Sequence, residues 1–224
     1  MAIGSPQWMY ASGEAYELEQ SLRFDDGRSS YLEKTPASAG NRRTYTWSGW
    51  VKRANQGSWM RLFSANSPQD YIAITNANRF VVNLNGNRLG TTGQQNLFRD
   101  SSAWYHILVI VDTTQSTASN RVKIYINGVE IADYGNGEGG STPEYPSLNY
   151  DGGVNNTTTH RIGAEAQGTA SNFFDGYLSE VNFIDGQALT PADFGETGDY
   201  GEWKPIEYSG TYGTNGFYLP FKQD

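Results

Sequence analysis

The sequence predicts an all-β protein, a two-sheet antiparallel sandwich, and three observations carry that prediction. Of 224 residues, 14% are aromatic and 26 are glycine, so short aromatic-rich segments are repeatedly cut by turn residues. Residues 44–53 and 122–131 alternate apolar and polar side chains with the period of two that a half-buried strand requires. Good helix signals are confined to Thr190-Pro191-Ala192-Asp193, with threonine at N-cap, proline at the first helical position and an acid at N3. One short helix near 190–195 is therefore expected.

Taken in order, Leu18, Leu22 and Phe24 mark a first core strand that Asp25-Asp26-Gly27 ends, and Tyr31-Leu32 opens a second short piece. In residues 44–53, Tyr45, Trp47, Gly49 and Val51 share one face, while Thr46, Ser48, Trp50 and Lys52 share the other. Both tryptophans read as sheet packing. Residues 59–65, 71–75 and 80–84 read as three more strands, the last closed by Asn85-Gly86. Residues 104–112 are almost continuously apolar, as in a strand covered on both faces. Residues 122–126 and 129–131, joined by Asn127-Gly128, are the strongest hairpin signal. Residues 135–159 then break the rhythm with Gly, Asn, Thr and Ser. Loops beyond about 15 residues inside a compact domain are uncommon and are usually functional or disordered. His160-Arg161-Ile162-Gly163 resumes the sheet, and residues 217–221 read either as a returning strand or as an adhesive end.

Between these lies residues 173–194. Asp175-Gly176 is a turn signal, residues 177–184 suit a pleated surface, and Asp185-Gly186 ends the strand. Leu178 has the opposite parity to Val181 and Phe183, which predicts either two covered faces or a bulge near Ser179. The order aromatic, Asp-Gly, aromatic, aliphatic, x, Glu-Val, x, aromatic, then Ala-Leu-Thr resembles the closing strand and helical turn of concanavalin A-like lectin/glucanase domains. Laminin G-like and pentraxin-like jelly rolls are the nearest branches. Residues 45–52 resemble a laminin G-like strand, and residues 104–106 with 122–129 resemble the two central strands. The resemblance covers about residues 18–194 and implies a concanavalin A-like jelly roll over 18–200, an arm at 1–17, and a C-terminal strand or tail at 201–224. Residues 21–53 and 210–221 are also similar to lectin-like proteins of marine tailed bacteriophages, which implies a place on a virion surface.

The totals exclude several classes. A net charge of −8, with 16 dispersed Lys and Arg, argues against nucleic acid or an anionic membrane as partner. The chain has no cysteine, so disulfides and thiolate metal sites are absent. Met1-Ala2-Ile3-Gly4-Ser5-Pro6 lacks the basic and apolar regions of a secretory signal, and no run approaches the ~20 apolar residues of a spanning helix.

Little catalytic chemistry is visible. A retaining glycosidase needs two carboxyl groups about 5 Å apart. Hydrolytic members of the resembled family carry Glu-x-Asp-x-Glu on one strand, whereas here Glu180 is followed by Asn182. His106, inside an apolar strand, reads as structural. The resemblance implies a rim calcium site, for which Asp70, Asp112, Asn172 and Asp175 stand at expected strand ends, although no EF-hand spacing supports it. Tyr145, Asn149, Tyr150, Asp151, Asn155 and Asn156 in the long loop combine aromatic faces with sugar-bonding groups. Trp8, Met9 and Tyr10 in the N-terminal arm, with Phe217, Tyr218 and Phe221 in the tail, are candidates for docking on partners. The expectation is a non-enzymatic structural protein of a phage particle, present in several copies or as a homo-oligomer, bound to capsid or tail proteins and meeting host-surface polysaccharide. The alternative is a decoration or cement protein that binds only virion proteins. A polysaccharide-degrading enzyme ranks third.

Overall fold

The computed structural model describes Tyr16, residues 18–92 and residues 98–222. The first half of the chain forms β1 (Leu22–Phe24), β2 (Leu32–Lys34), β3 (Thr44–Arg53), β4 (Met60–Ala65), β5 (Asp70–Ile74), β6 (Phe80–Leu84) and β7 (Asn87–Thr91). Then follow β8 (Tyr105–Asp112), β9 (Val122–Ile126), β10 (Val129–Glu130), β11 (Tyr134–Gly135), β12 (His160–Ile162) and β13 (Gly176–Asp185). The last three strands are β14 (Gly195–Thr197), β15 (Trp203–Pro205) and β16 (Phe217–Leu219). All pairings are antiparallel. One sheet runs β1-β13-β3-β8-β9-β10 with β16 also on β13, and the other runs β11-β7-β6-β5-β4-β12-β2.

The core between the sheets follows from the alternation. Tyr45, Trp47 and Val51 of β3 point inward with Ile107, Val109 and Val111 of β8, and meet Phe63, Ile72 and Ile74 of the second sheet. Trp47 is fully buried. The parity conflict in β13 is settled by a bulge. Its register against β3 shifts between Ser179 and Asn182, and Glu180 sits at φ +50°. The extra residue lets Leu178, Val181 and Phe183 all enter the same core. The bulge also divides the edge of β13 in two. β1 pairs with its first half through Leu22↔Leu178, and β16 with its second through Leu219↔Val181. The tail is thus a returning strand.

The expected helix is one 3-10 turn, Pro191–Asp193, and does not reach residue 195, where β14 begins. The Asp193 carboxylate accepts from both the Thr190 N–H and hydroxyl at 2.8 Å. Phe194 then turns inward to pack with Leu108 and Ile184, which ends the helical path. Residues 187–212 lie across the outer face of the first sheet, where Leu189, Tyr208 and Tyr212 cover the same cluster. That cover builds the site.

Candidate functional site

Alternation on β3 sends Ser48 and Trp50 outward, and the register places His106 opposite Trp50. The two rings are 5.2 Å apart. His106 lies 2.9 Å from the Ser48 hydroxyl through Nε2, and its Nδ1 accepts the Trp203 indole N–H at 3.1 Å. An indole nitrogen only donates, so Nδ1 is bare and Nε2 carries the proton, which it gives to Ser48. This tautomer is the wrong one for drawing a proton from Ser48. Burial lowers the His106 pKa to about 3, so the ring is neutral. It is a positioning group for Trp203.

Trp203 is held on its other edges by glycines. A Cβ at Gly128, in the Asn127-Gly128 turn at φ +78°, would come within 2.4 Å of the indole, and one at Gly195 equally close. His106 and Asn127 tie that turn to β8: Asn127 Oδ1 accepts from the His106 N–H at 2.8 Å, and the Asn127 N–H returns to the His106 carbonyl at 2.8 Å. The indole is fixed before any ligand arrives, which spares the entropy of ordering it later.

Beside it opens a cleft of about 560 Å³. Trp50, Trp104, Trp203 and Pro205 form one wall. The other is Tyr16 and residues 18–21 with Ser179. This second wall is fastened to the β13 bulge. The Ser179 hydroxyl donates to the Gln20 carbonyl at 2.5 Å, and the Tyr16 hydroxyl donates to the Glu180 carboxylate. Tyr218 donates to the same oxygen at 2.5 Å and stands 3.0 Å from Tyr16. Burial first, then these bonds to Glu180, raise the pKa of both phenols above the ordinary tyrosine value. Glu19 pairs with Lys222 at 3.0 Å across exposed surface. The cleft thus offers rigid aromatic faces opposite amide and hydroxyl groups, the mixture that fits a sugar ring's apolar C–H faces and hydroxyl rim. A second concavity of about 260 Å³ lies on the flank between the sheets, lined by Leu32, Phe63, Ile162, Phe217 and Leu219.

The profile of the concanavalin A-like lectin/glucanases superfamily matches residues 26–194. The chain belongs to that superfamily. Solved structures with this superfamily fold include the heptameric SAP-like pentraxin of Limulus polyphemus, at 16% identity and TM-score 0.50, covering 79% of this chain and 80% of that one. The enzymatically active domain of tailspike protein 2 from bacteriophage CBA120 matches at 10% identity and TM-score 0.50, over 78% of this chain and 26% of the tailspike chain. The CBM40 of Ruminococcus gnavus IT-sialidase, bound to α2,3-sialyllactose, matches at 13% identity and TM-score 0.44, over 71% of this chain and 94% of its own. This chain therefore spans only a fraction of the tailspike. No curated protein matches it in sequence.

Within this superfamily domain the long loop is tied down from several sides. Arg42 donates to the Gly152 carbonyl at 2.7 Å and to that of Asp151 at 3.1 Å, while Arg43 holds the Asp151 carboxylate at 2.8 and 2.9 Å. The Tyr150 hydroxyl donates to Asp70 at 3.0 Å. Asn155 is buried, donating its amide to the Asn41 carbonyl at 2.8 Å and to Asp185 at 3.0 Å. Asn156 donates to the Ser67 carbonyl at 3.1 Å, and Tyr145 packs half-buried against the core. Asn149 is exposed at φ +57°. Five of the six groups therefore have work inside the fold.

The four calcium candidates are likewise engaged one by one. Asp70 accepts from Tyr150 and from the Gly153 and Val154 amides, and burial raises its pKa to about 6. Asp112 caps the turn after β8 through Thr114 and Gln115. The Asn172 carbonyl accepts the Arg61 N–H, and Asp175 pairs with Arg23 at 2.6 Å. Among the described residues no three His, Cys, Asp or Glu side chains gather into one group.

Trp8, Met9 and Tyr10 lie outside the described residues. In the tail, Phe217 packs tilted against Phe183 with ring centres 5.5 Å apart, Tyr218 is bound to Glu180, and Phe221 packs against the core. Their rings serve the fold. In the sequence Trp104 stands at the head of an apolar strand and Trp203 within the tail at 201–224, and neither position marks a site. A signal was present in the glycines at 128 and 195, but nothing in the chain order says they flank one indole.

Proposed function

We propose that the protein is a non-enzymatic, glycan-binding structural component of a bacteriophage particle. The cleft between Trp50, Trp104 and Trp203 and the segment ahead of β1 carries this reading. Trp203, held rigid by a buried histidine and two glycines beside Trp50 and Trp104, suits repeated, reversible contact with polysaccharide. The superfamily supports the lectin-like part. The resemblance of residues 21–53 and 210–221 to lectin-like proteins of tailed phages supports the particle, and a phage tailspike contains a domain of this fold. Non-catalysis is supported by the Ser48–His106 tautomer and by Glu180, whose bonded partners are tyrosines.

The test is a glycan array probed with the intact chain and with Trp104→Ala, together with a reducing-end assay on every polysaccharide bound. Binding that Trp104→Ala weakens, with no new reducing ends, is the expected result. New reducing ends abolished by Glu180→Gln would make the protein a hydrolase. An inventory of purified particles by mass spectrometry checks the virion assignment.

The apolar flank supports a second reading, a decoration protein bound only to other virion proteins. Leu32 and Tyr31 are exposed there beside the cavity between β2 and β16. Incorporation into particles lost in a Leu32→Asp variant that still folds, together with a blank glycan array, would favour it.

A further inference from the structure

From the charges that face the cleft, we infer that its ligand is a neutral glycan and that anionic glycans (sialylated, uronic or sulfated) are rejected; this rests on the glycan-binding reading above. Of the described residues lining the cleft, Glu19 alone is charged, and no Lys, Arg or His is among them. Lys204, between the lining Trp203 and Pro205 on β15, runs past Gly198 and is not among the lining residues. Lys222 is bonded to Glu19. Lys52 occupies the next outward position along β3, opposite Tyr177, and is not among the lining residues. The histidine beneath the floor is neutral and spends both ring nitrogens on Ser48 and Trp203. Glu180, behind the Tyr16 wall, adds a second negative group.

A carboxylate or sulfate entering this space would leave water without finding a free counter-charge, since Lys222 is already paired with Glu19, while Glu180 stands behind the Tyr16 wall. Desolvating an anion without a partner costs far more than desolvating a hydroxyl, and like charges in an interface are strongly disfavoured. A neutral sugar pays neither cost. Its C–H faces meet the indoles, and its hydroxyls meet the Gln20 amide and the Ser21 hydroxyl, both on exposed residues. The net charge of −8 repels a polyanion at longer range as well. The selectivity is built by omission of cations from an otherwise sugar-shaped site.

The experiment titrates the intact chain with neutral galactan, mannan and glucan oligosaccharides and with the sulfated derivative of each, at low and high salt. The expected result is a neutral ligand bound at least about tenfold tighter than its sulfated form, with a gap that narrows as salt screens it. A Gln20→Lys variant, on an exposed wall position, should shift the ratio toward the sulfated form in a salt-sensitive way. Tighter binding of the sulfated ligands by the intact chain overturns the inference and leaves glycan binding standing. An unchanged ratio in Gln20→Lys also overturns it, because charge would then be read somewhere other than this cleft. No binding to any ligand removes the functional reading itself.

Discussion

The long loop at 135–159 and the cleft on the outer face of the first sheet hold similar chemistry and use it in opposite ways. The loop's Tyr150, Asp151 and Asn155 are spent on Asp70, Arg43 and Asp185. The cleft spends polar groups behind its surface, on His106, Ser48 and Glu180, and leaves aromatic faces toward the opening. Composition marks where polar and aromatic groups are concentrated along the chain. A binding site depends on which of them remain unpartnered after folding.

Trp203→Ala should have the largest effect, because it removes both a wall and the donor to His106. We expect binding to fall below detection and stability to drop by about 2 kcal/mol, less than for a fully buried tryptophan. Titration calorimetry and thermal melts check the two parts. Gly195→Ala should come next. Its new Cβ meets the indole with no space, so stability falls by about 1–3 kcal/mol and glycan binding weakens while every cleft side chain is retained. Intact binding in that variant would show that the indole's placement is irrelevant. Trp104→Ala should cost about tenfold in affinity, or about 1.4 kcal/mol, with little change in melting temperature. Tyr150→Phe should do the reverse, removing one bond to Asp70 for about 1 kcal/mol of stability and leaving affinity unchanged.

Acid distinguishes the regions too. His106 has its pKa lowered to about 3, so between the unfolded value of 6.5 and that point the unfolded chain binds the extra proton, and stability is lost as pH falls. Asp70, raised to about 6 from 3.8, has the opposite sign: the folded chain holds the extra proton, and stability is lost as pH rises across that window. An Asp70→Asn variant should therefore lose stability more steeply than the parent on acidification from pH 6 toward 4, and melting curves across that range check it. Equal slopes would mean that the loop and the cleft are not poised as described.

The sandwich was legible because alternation in residues 44–53 and the Asn127-Gly128 hairpin are local signals that burial enforces. The bulge was legible as a conflict, since Leu178 and Val181 could not share a face without an extra residue. The helix was overrun by Phe194, whose ring had a buried place to go that capping rules do not see. The cleft was hidden because its walls come from Tyr16, Trp50, Trp104 and Trp203, which only the register of β3 with β8 and the fold-back of residues 187–212 bring together. The loop looked functional because its internal partners, Arg42, Arg43 and Asp70, are distant in sequence.

The central claim is that the cleft, and not the loop, receives the sugar. Nuclear magnetic resonance of the labelled chain titrated with a neutral oligosaccharide tests it most directly, since both regions report in one spectrum. We predict shifts at the indole N–H signals of Trp104 and Trp203 and at the side-chain amide of Gln20, with the signals of Asn149 and Asn156 unmoved. Shifts confined to residues 145–156, with the indoles silent, would contradict the account.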